Sequence, residues 1–242
     1  MAGHSHWKQV KHKKGATDAK RGQLFSKLVK EIAVAAREGG VNPETNVRLR
    51  AAMERSKQDG LPKDNRERTL ERASGRGDAG ELFEFLYEAT APDGVMILVE
   101  GITDSRNRTL AEIKHILSER GGRLVEQGSL SWNFEKVGVL AGSVSASPGK
   151  NREEIELAVI ESGASDFRIE EDTLTVETVF AERERVRAAL EAHGITITSV
   201  GHEYKPKTAI VLTDDARAAL EPLLDALAEH PDAQEIYTNL AE

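Results

Sequence analysis

Apolar residues recur at helical spacing over the first third of the chain and then change period. Leu24, Phe25, Leu28, Val29 and Ile32 form one stripe. It predicts a helix that starts near Thr17 or Asp18, either of which can cap it, and stops at Gly39-Gly40. Asn42 followed by Pro43 reads as the start of a second helix, running through Val47, Leu49, Ala52 and Met53 to Gly60. Pro62-Lys63-Asp64 opens a third, short helix ending near Gly75, with Arg66 interrupting its apolar face. Three short helices joined by Gly and Pro turns make a small bundle.

Residues 75–80 read as a linker by composition. Their Arg-Gly-Asp tripeptide and the later Asn107-Arg108-Thr109 acceptor pattern are coincidences in a cysteine-free chain of this kind. Beyond the linker the pattern alternates. Residues 83–89 and 95–99 read as strands around a Pro92-Asp93-Gly94 turn. Asp104 or Ser105 caps a helix burying Leu110, Ile113, Ile116 and Leu117, which ends at Gly121-Gly122. Residues 129–134 read as a third strand, with Leu130, Trp132 and Phe134 on one side.

A complete unit follows. Strand 137–144, helix 152–161, strands 167–169 and 174–179, helix 181–192 and strand 195–200 give the order βαββαβ of a ferredoxin-like sandwich. The tail adds a strand at 209–212, a helix at 214–229 with Leu220, Leu223, Leu224 and Leu227 inward, and a strand at 235–238. It cannot bury its own apolar face, so it must pack on the sheet of residues 81–135. The expected fold is α+β and multidomain: an N-terminal three-helix bundle plus two α/β-sandwich domains, one of them ferredoxin-like. The expected domains are 1–75, a discontinuous 81–135 plus 206–242, and an inserted 137–204.

Charge changes the picture at one end. The 242-residue chain has a formal net charge of −8. Yet residues 1–76 hold 18 Lys/Arg against 9 Asp/Glu, and the remainder 15 against 32. Lys8, Lys11, Lys13, Lys14, Lys20, Arg21, Lys27 and Lys30 face a single acid, Asp18, in the first thirty residues. His4, His6 and His12 add donors and Trp7 an aromatic surface. Such a run can be only a solvated tail, but this one continues into an amphipathic helix. A basic arm on an acidic body engages a polyanion arm-first, through phosphate neutralisation and counterion release. Trp7 either stacks on a base or anchors the arm to the bundle. Arg106 and Arg108 sit beside a helix N-terminus, where they can hold a phosphate or pair with the acidic body.

Several blocks resemble the YebC/PmpR family. They are Gly3-His4-Ser5-His6-Trp7, Lys11-His12-Lys13-Lys14, Asp18-Ala19-Lys20-Arg21-Gly22, Phe25-Ser26-Lys27-Leu28 and the stretches 46–52, 62–65, 103–109, 121–122 and 128–132. The similarity spans the chain. It implies a helical N-terminal domain and two α/β domains. Members are widely labelled transcriptional regulators; a mitochondrial relative is a translational activator, and bacterial members look like ribosome-associated translation factors. His6, Gly15, Arg66 and the segment 87–92 depart from the family pattern, and the last departure bears on any family role of that loop.

Other chemistries find little support. There is no cysteine, so disulfides and Cys-ligated zinc are excluded. No run of eighteen apolar residues spans a membrane, and the N-terminus has no signal pattern, so a cytoplasmic protein is expected. No nucleophile elbow, P-loop, Rossmann glycine set or HExxH motif occurs. His4, His6 and His12 lack neighbouring Cys, Asp or Glu to complete a ligand set. The expectation is a non-enzyme without cofactor, metal or small-molecule substrate. Three readings remain: an RNA- or ribosome-binding translation factor, a DNA-binding transcription regulator, and an acidic protein–protein adaptor. The expected nucleic-acid contacts are Lys8, Lys11, His12, Lys13, Lys14, Lys20, Arg21, Lys27, Lys30, Arg106 and Arg108. No recognition helix with base-reading side chains on one face is evident, and a flexible arm suits structured or single-stranded RNA better than a major groove.

Overall fold

The structure, a computed structural model, describes residues 18–76, 80–147, 149 and 151–241. It forms two compact units, one of residues up to 135 together with 205 onward, the other of residues 136–204.

In the first unit, helix α1 (Asp18–Gly39) packs on α2 (Val47–Gln58) and α3 (Lys63–Glu71). Leu28, Ile32, Ala35 and Ala36 meet Leu49, Ala52 and Leu61 in a small core. The cap of α2 is Asn46, not Asn42. Asn46 Oδ1 accepts the Leu49 amide at 3.0 Å, while its Nδ2 donates to the Ala35 and Gly40 carbonyls, each at 2.7 Å. One side chain thus starts α2 and closes α1. Asn42-Pro43 makes the turn before it, where Asn42 Oδ1 accepts the Glu44 amide at 3.0 Å. α3 ends at Glu71, and a π-helical turn, Arg72–Arg76, follows. Arg66 is not idle in the α3 face, since its guanidinium donates to the Leu61 carbonyl.

The sheet of this unit has the order β3-β1-β2-β8, antiparallel throughout. β1 is Phe83–Thr90, β2 Met96–Thr103, β3 Arg123–Leu124 and β8 Ala233–Thr238. β2 therefore runs four residues past the expected end at 99, because Phe83 to Thr90 pair with it along their whole length. Helices α4 (Arg106–Glu119) and α7 (Asp214–Glu229) bury Ile113, Leu117, Leu220, Leu223, Leu224 and Leu227 against Phe85, Ile97 and Val99. Leu110 was expected inside and is 41% exposed. The buried positions of α4 are Thr109, Ile113 and Leu117.

Two expected strands are absent. Residues 131–133 form a 3-10 turn instead of a strand, with Leu130 and Phe134 buried and Trp132 pointing out. Residues 209–212 contribute only a single parallel bridge, Ile210 to Leu240.

The second unit holds β4 (Phe134–Ser143), α5 (Arg152–Glu161), β5 (Asp166–Glu170), β6 (Thr173–Val179), α6 (Arg183–Ala192) and β7 (Thr196–Pro206). The outermost residues of β4 and β7 extend into the first unit. The order β5-β6-β4-β7 is that of a ferredoxin-like sandwich. Leu140, Ile155, Val159, Leu174, Val176, Val186 and Leu190 make its core. α5 opens with a reciprocal capping box between Asn151 and Glu154.

Candidate functional site

The expected nucleic-acid contacts fall into three groups. Trp7, Lys8, Lys11, His12, Lys13 and Lys14 lie outside the described residues. Lys20, Arg21, Lys27 and Lys30 lie on α1, and Arg106 and Arg108 on the first turn of α4.

The α1 cations differ among themselves. Arg21 is exposed and pairs with no carboxylate among the described residues. Lys20 sits 3.2 Å from Glu229, a solvent-exposed pair of little energetic weight. Lys27 donates to the Ala228 carbonyl at 2.7 Å. That carbonyl lies in the last turn of α7, where a cation complements the helix dipole. Lys30 reaches further in, to the Pro231 carbonyl at 3.2 Å and to the carboxylate of Asp232. Its side chain is 17% exposed and that of Asp232 only 1%. The second half of the α1 basic edge therefore fastens the helix to the α7–β8 corner.

Asp232 is the centre of that corner. Besides Lys30 it accepts from Arg108 Nη2 at 2.8 Å, Thr109 Oγ1 at 2.5 Å and Thr103 Oγ1 at 3.1 Å. Burial pushes its carboxyl up. The hydrogen bonds from Lys30, Thr109 and Arg108, with the Lys30 charge, outweigh burial and hold it well below the usual carboxylate range. Its backbone carbonyl accepts the Ile102 amide at 2.9 Å. Gly101 permits that approach, since a Cβ there would lie 2.1 Å from the Asp232 carbonyl oxygen. Arg108 also bonds Asp104 at 2.8 Å, so its guanidinium is held by two acids.

Glu112, His230 and Asp232 bring three possible metal donors together. All three already have other work. His230 Nδ1 accepts the Asp232 amide at 3.1 Å, which places the ring hydrogen on Nε2, 3.0 Å from Glu112. Asp232 is surrounded by four donors. The arrangement is a hydrogen-bonded knot that joins α1, α4, β2 and β8.

Arg106 is different. It is exposed, with its guanidinium 4.7 Å over the Phe83 ring and its carbonyl accepting from Tyr87 Oη at 3.3 Å. It borders a shallow groove with Tyr87, Leu110, Leu124 and Gln127. Cation–π stacking holds the planar group without neutralising it.

Sequence reasoning missed a second buried acid. Glu88, 3% exposed, accepts the Gly128 amide at 2.7 Å and the Leu130 amide at 2.5 Å. It fixes the loop that carries Trp132, which is 62% exposed. A lone acid inside an apolar strand, Phe85-Leu86-Tyr87-Glu88-Ala89, was the available signal. For Asp232 the available signals were its place between helix and strand and the paired Thr103 and Thr109.

Comparison with known proteins covers nearly the whole chain. The model described as the TACO1/YebC protein N-terminal domain matches residues 5–76, and that described as the TACO1/YebC second and third domain matches residues 82–240. A probable transcriptional regulatory protein of Thermomicrobium roseum is 45% identical over 240 residues, 99% of this chain and 96% of that protein. One of Dehalococcoides mccartyi is 41% identical over 239 residues, 99% and 94%. Among solved structures, a conserved hypothetical protein of Aquifex aeolicus superposes with a TM-score of 0.82 at 37% identity, covering 98% of this chain and 97% of that one. The chain belongs to the TACO1/YebC family.

Proposed function

We propose that the protein is a non-catalytic nucleic-acid-binding regulator of gene expression that acts on RNA or the ribosome as a translation factor. Its basic N-terminal arm makes the phosphate contacts. The observation that carries this reading is the division of charge, with 18 Lys/Arg against 9 Asp/Glu up to residue 76 and 15 against 32 beyond it. Lys20, Arg21 and Arg106 extend the arm's chemistry onto the folded surface as exposed cations. Lys27, Lys30 and Arg108 belong to the scaffold, because each donates a hydrogen bond to the α7–β8 corner.

A second reading, a DNA-binding transcription regulator, is favoured by the names of the relatives, which are probable transcriptional regulatory proteins. Against it, the short helix α2 spends Arg48, Arg50 and Arg55 on internal partners rather than presenting a base-reading face. Competition among ribosomes, tRNA and promoter duplex at physiological salt separates the two. The translation reading predicts that ribosomes or tRNA displace the duplex. A fixed duplex footprint with no ribosome or RNA association contradicts it.

A further inference from the structure

We propose that Trp132 and Lys207 form a stacking contact for one unpaired nucleotide, separate from the basic arm. This rests on the nucleic-acid reading above and adds a second, folded contact to it.

Trp132 is 62% exposed, an unusual state for the residue with the largest apolar surface. The exposure does not come from a loose loop. Glu88 holds the amides of Gly128 and Leu130 from beneath. Ser129 Oγ donates to the Glu126 carbonyl at 2.6 Å and Ser131 Oγ to the Gly128 carbonyl at 3.1 Å. Gly128 has φ +91°, a conformation that other residues adopt only under strain. On the other flank Asn133 is 1% exposed. It exchanges two hydrogen bonds with the Thr208 backbone, at 3.1 and 3.0 Å, and its carbonyl accepts the Lys207 amide at 2.7 Å. Leu130 and Phe134 are buried on either side. Every neighbour of the indole is anchored, and the indole itself is presented to solvent.

The company it keeps selects the ligand. Ser129 and Ser131, both exposed, precede it in sequence, where a protein-binding patch would carry further large apolar residues. Lys207, tied through its amide to the residue after Trp132, is exposed, and lysine is depleted at the centre of protein interfaces. An exposed aromatic face, with an exposed lysine whose amide is tied to the next residue, is what an unpaired base and its phosphate require. A base inside a duplex cannot present its face, so the contact selects single strands.

The chain has two tryptophans, so a Trp7→Phe full-length protein reports Trp132 alone. Its emission is titrated with a short single-stranded RNA and with the matched duplex, while anisotropy of labelled RNA follows binding. Saturable quenching that tracks anisotropy with the single strand and is weak with the duplex is expected. In the otherwise native chain, Trp132→Ala should weaken single-strand affinity on the order of tenfold at an unchanged salt slope, and Trp132→Phe should retain most of it. Lys207→Gln should lower the log–log salt slope by about 0.7. RNA binding with no change in Trp132 emission, and parental affinity in Trp132→Ala, overturns this proposal alone. Failure of the parent chain to bind any nucleic acid overturns it together with the functional reading.

Discussion

Asp232 and Glu88 are both buried carboxylates, and they organise opposite kinds of surface. Asp232 is satisfied by two cations and two hydroxyls, and so draws Lys30 into the fold and ties down Arg108 at its edge. Glu88 is satisfied by two backbone amides, and so consumes no side chain. It fixes a loop and leaves Trp132 displayed. A buried acid thus decides which nearby functional groups remain available to a ligand. Counting cations on a helix does not reveal which ones are available. Their partners do.

The largest expected effect comes from breaking the Asp232 side of this comparison. Asp232→Ala takes the shared carboxylate from Lys30, Arg108 and the two threonines, and should lower stability by about 3–5 kcal/mol, read by denaturant unfolding. Asp232→Asn keeps the shape but not the charge, and its loss relative to the parent should depend on pH. A carboxyl depressed in the folded state contributes stability that is fully present above its unfolded value of about 3.9 and is lost as pH falls through the folded value. The gap between parent and Asp232→Asn should therefore be widest above about pH 5 and narrow steadily toward acid. A gap independent of pH would mean that Asp232 is not held as an anion by these partners.

Breaking the Glu88 side should be milder. Glu88→Ala leaves two loop amides unpaired, at about 1–3 kcal/mol, and frees the Trp132 loop. In the Trp7→Phe background, Trp132 emission anisotropy should fall. An unchanged value would show that the loop is held by its serines and Asn133 without the acid.

The mildest change in stability is expected at Trp132 itself. Trp132→Ser removes an exposed ring and should shift stability by no more than about 0.5 kcal/mol. A larger loss, read by thermal melting, would show that the ring is packed in solution and that the two acids do not differ as described.

Much of the architecture was legible because it rests on local period. The helices 152–161 and 214–229 coincide with α5 and α7, and the four leucines of α7 all point inward. The ferredoxin-like order was readable for the same reason. Positions decided by distant partners were not. Leu110 and Thr109 exchanged roles because Thr109 is drawn to Asp232, 123 residues away. Asn42 looked like the cap, but Asn46 alone can also reach the Ala35 and Gly40 carbonyls. Trp132 fitted an alternating strand, yet the Glu88 bonds turn its backbone into a 3-10 segment. Within the candidate site, Lys30 and Arg21 look alike in sequence. They differ through an acid 202 residues from Lys30.

The central claim is that the chain divides its cations, with those fastened to the α7–β8 corner holding the fold and those of the arm holding phosphate. The most direct test is the salt dependence of single-stranded RNA binding in three proteins: the parent, a variant with Lys11, Lys13, Lys14, Lys20 and Arg21 changed to Gln, and Lys30→Gln. The five-fold variant should keep the parental melting temperature nearly unchanged and lose about 0.7 of log–log slope per residue. Lys30→Gln should melt lower and keep the parental slope. An unaltered slope in the five-fold variant, or a slope in Lys30→Gln that falls as an arm residue's would, contradicts the division.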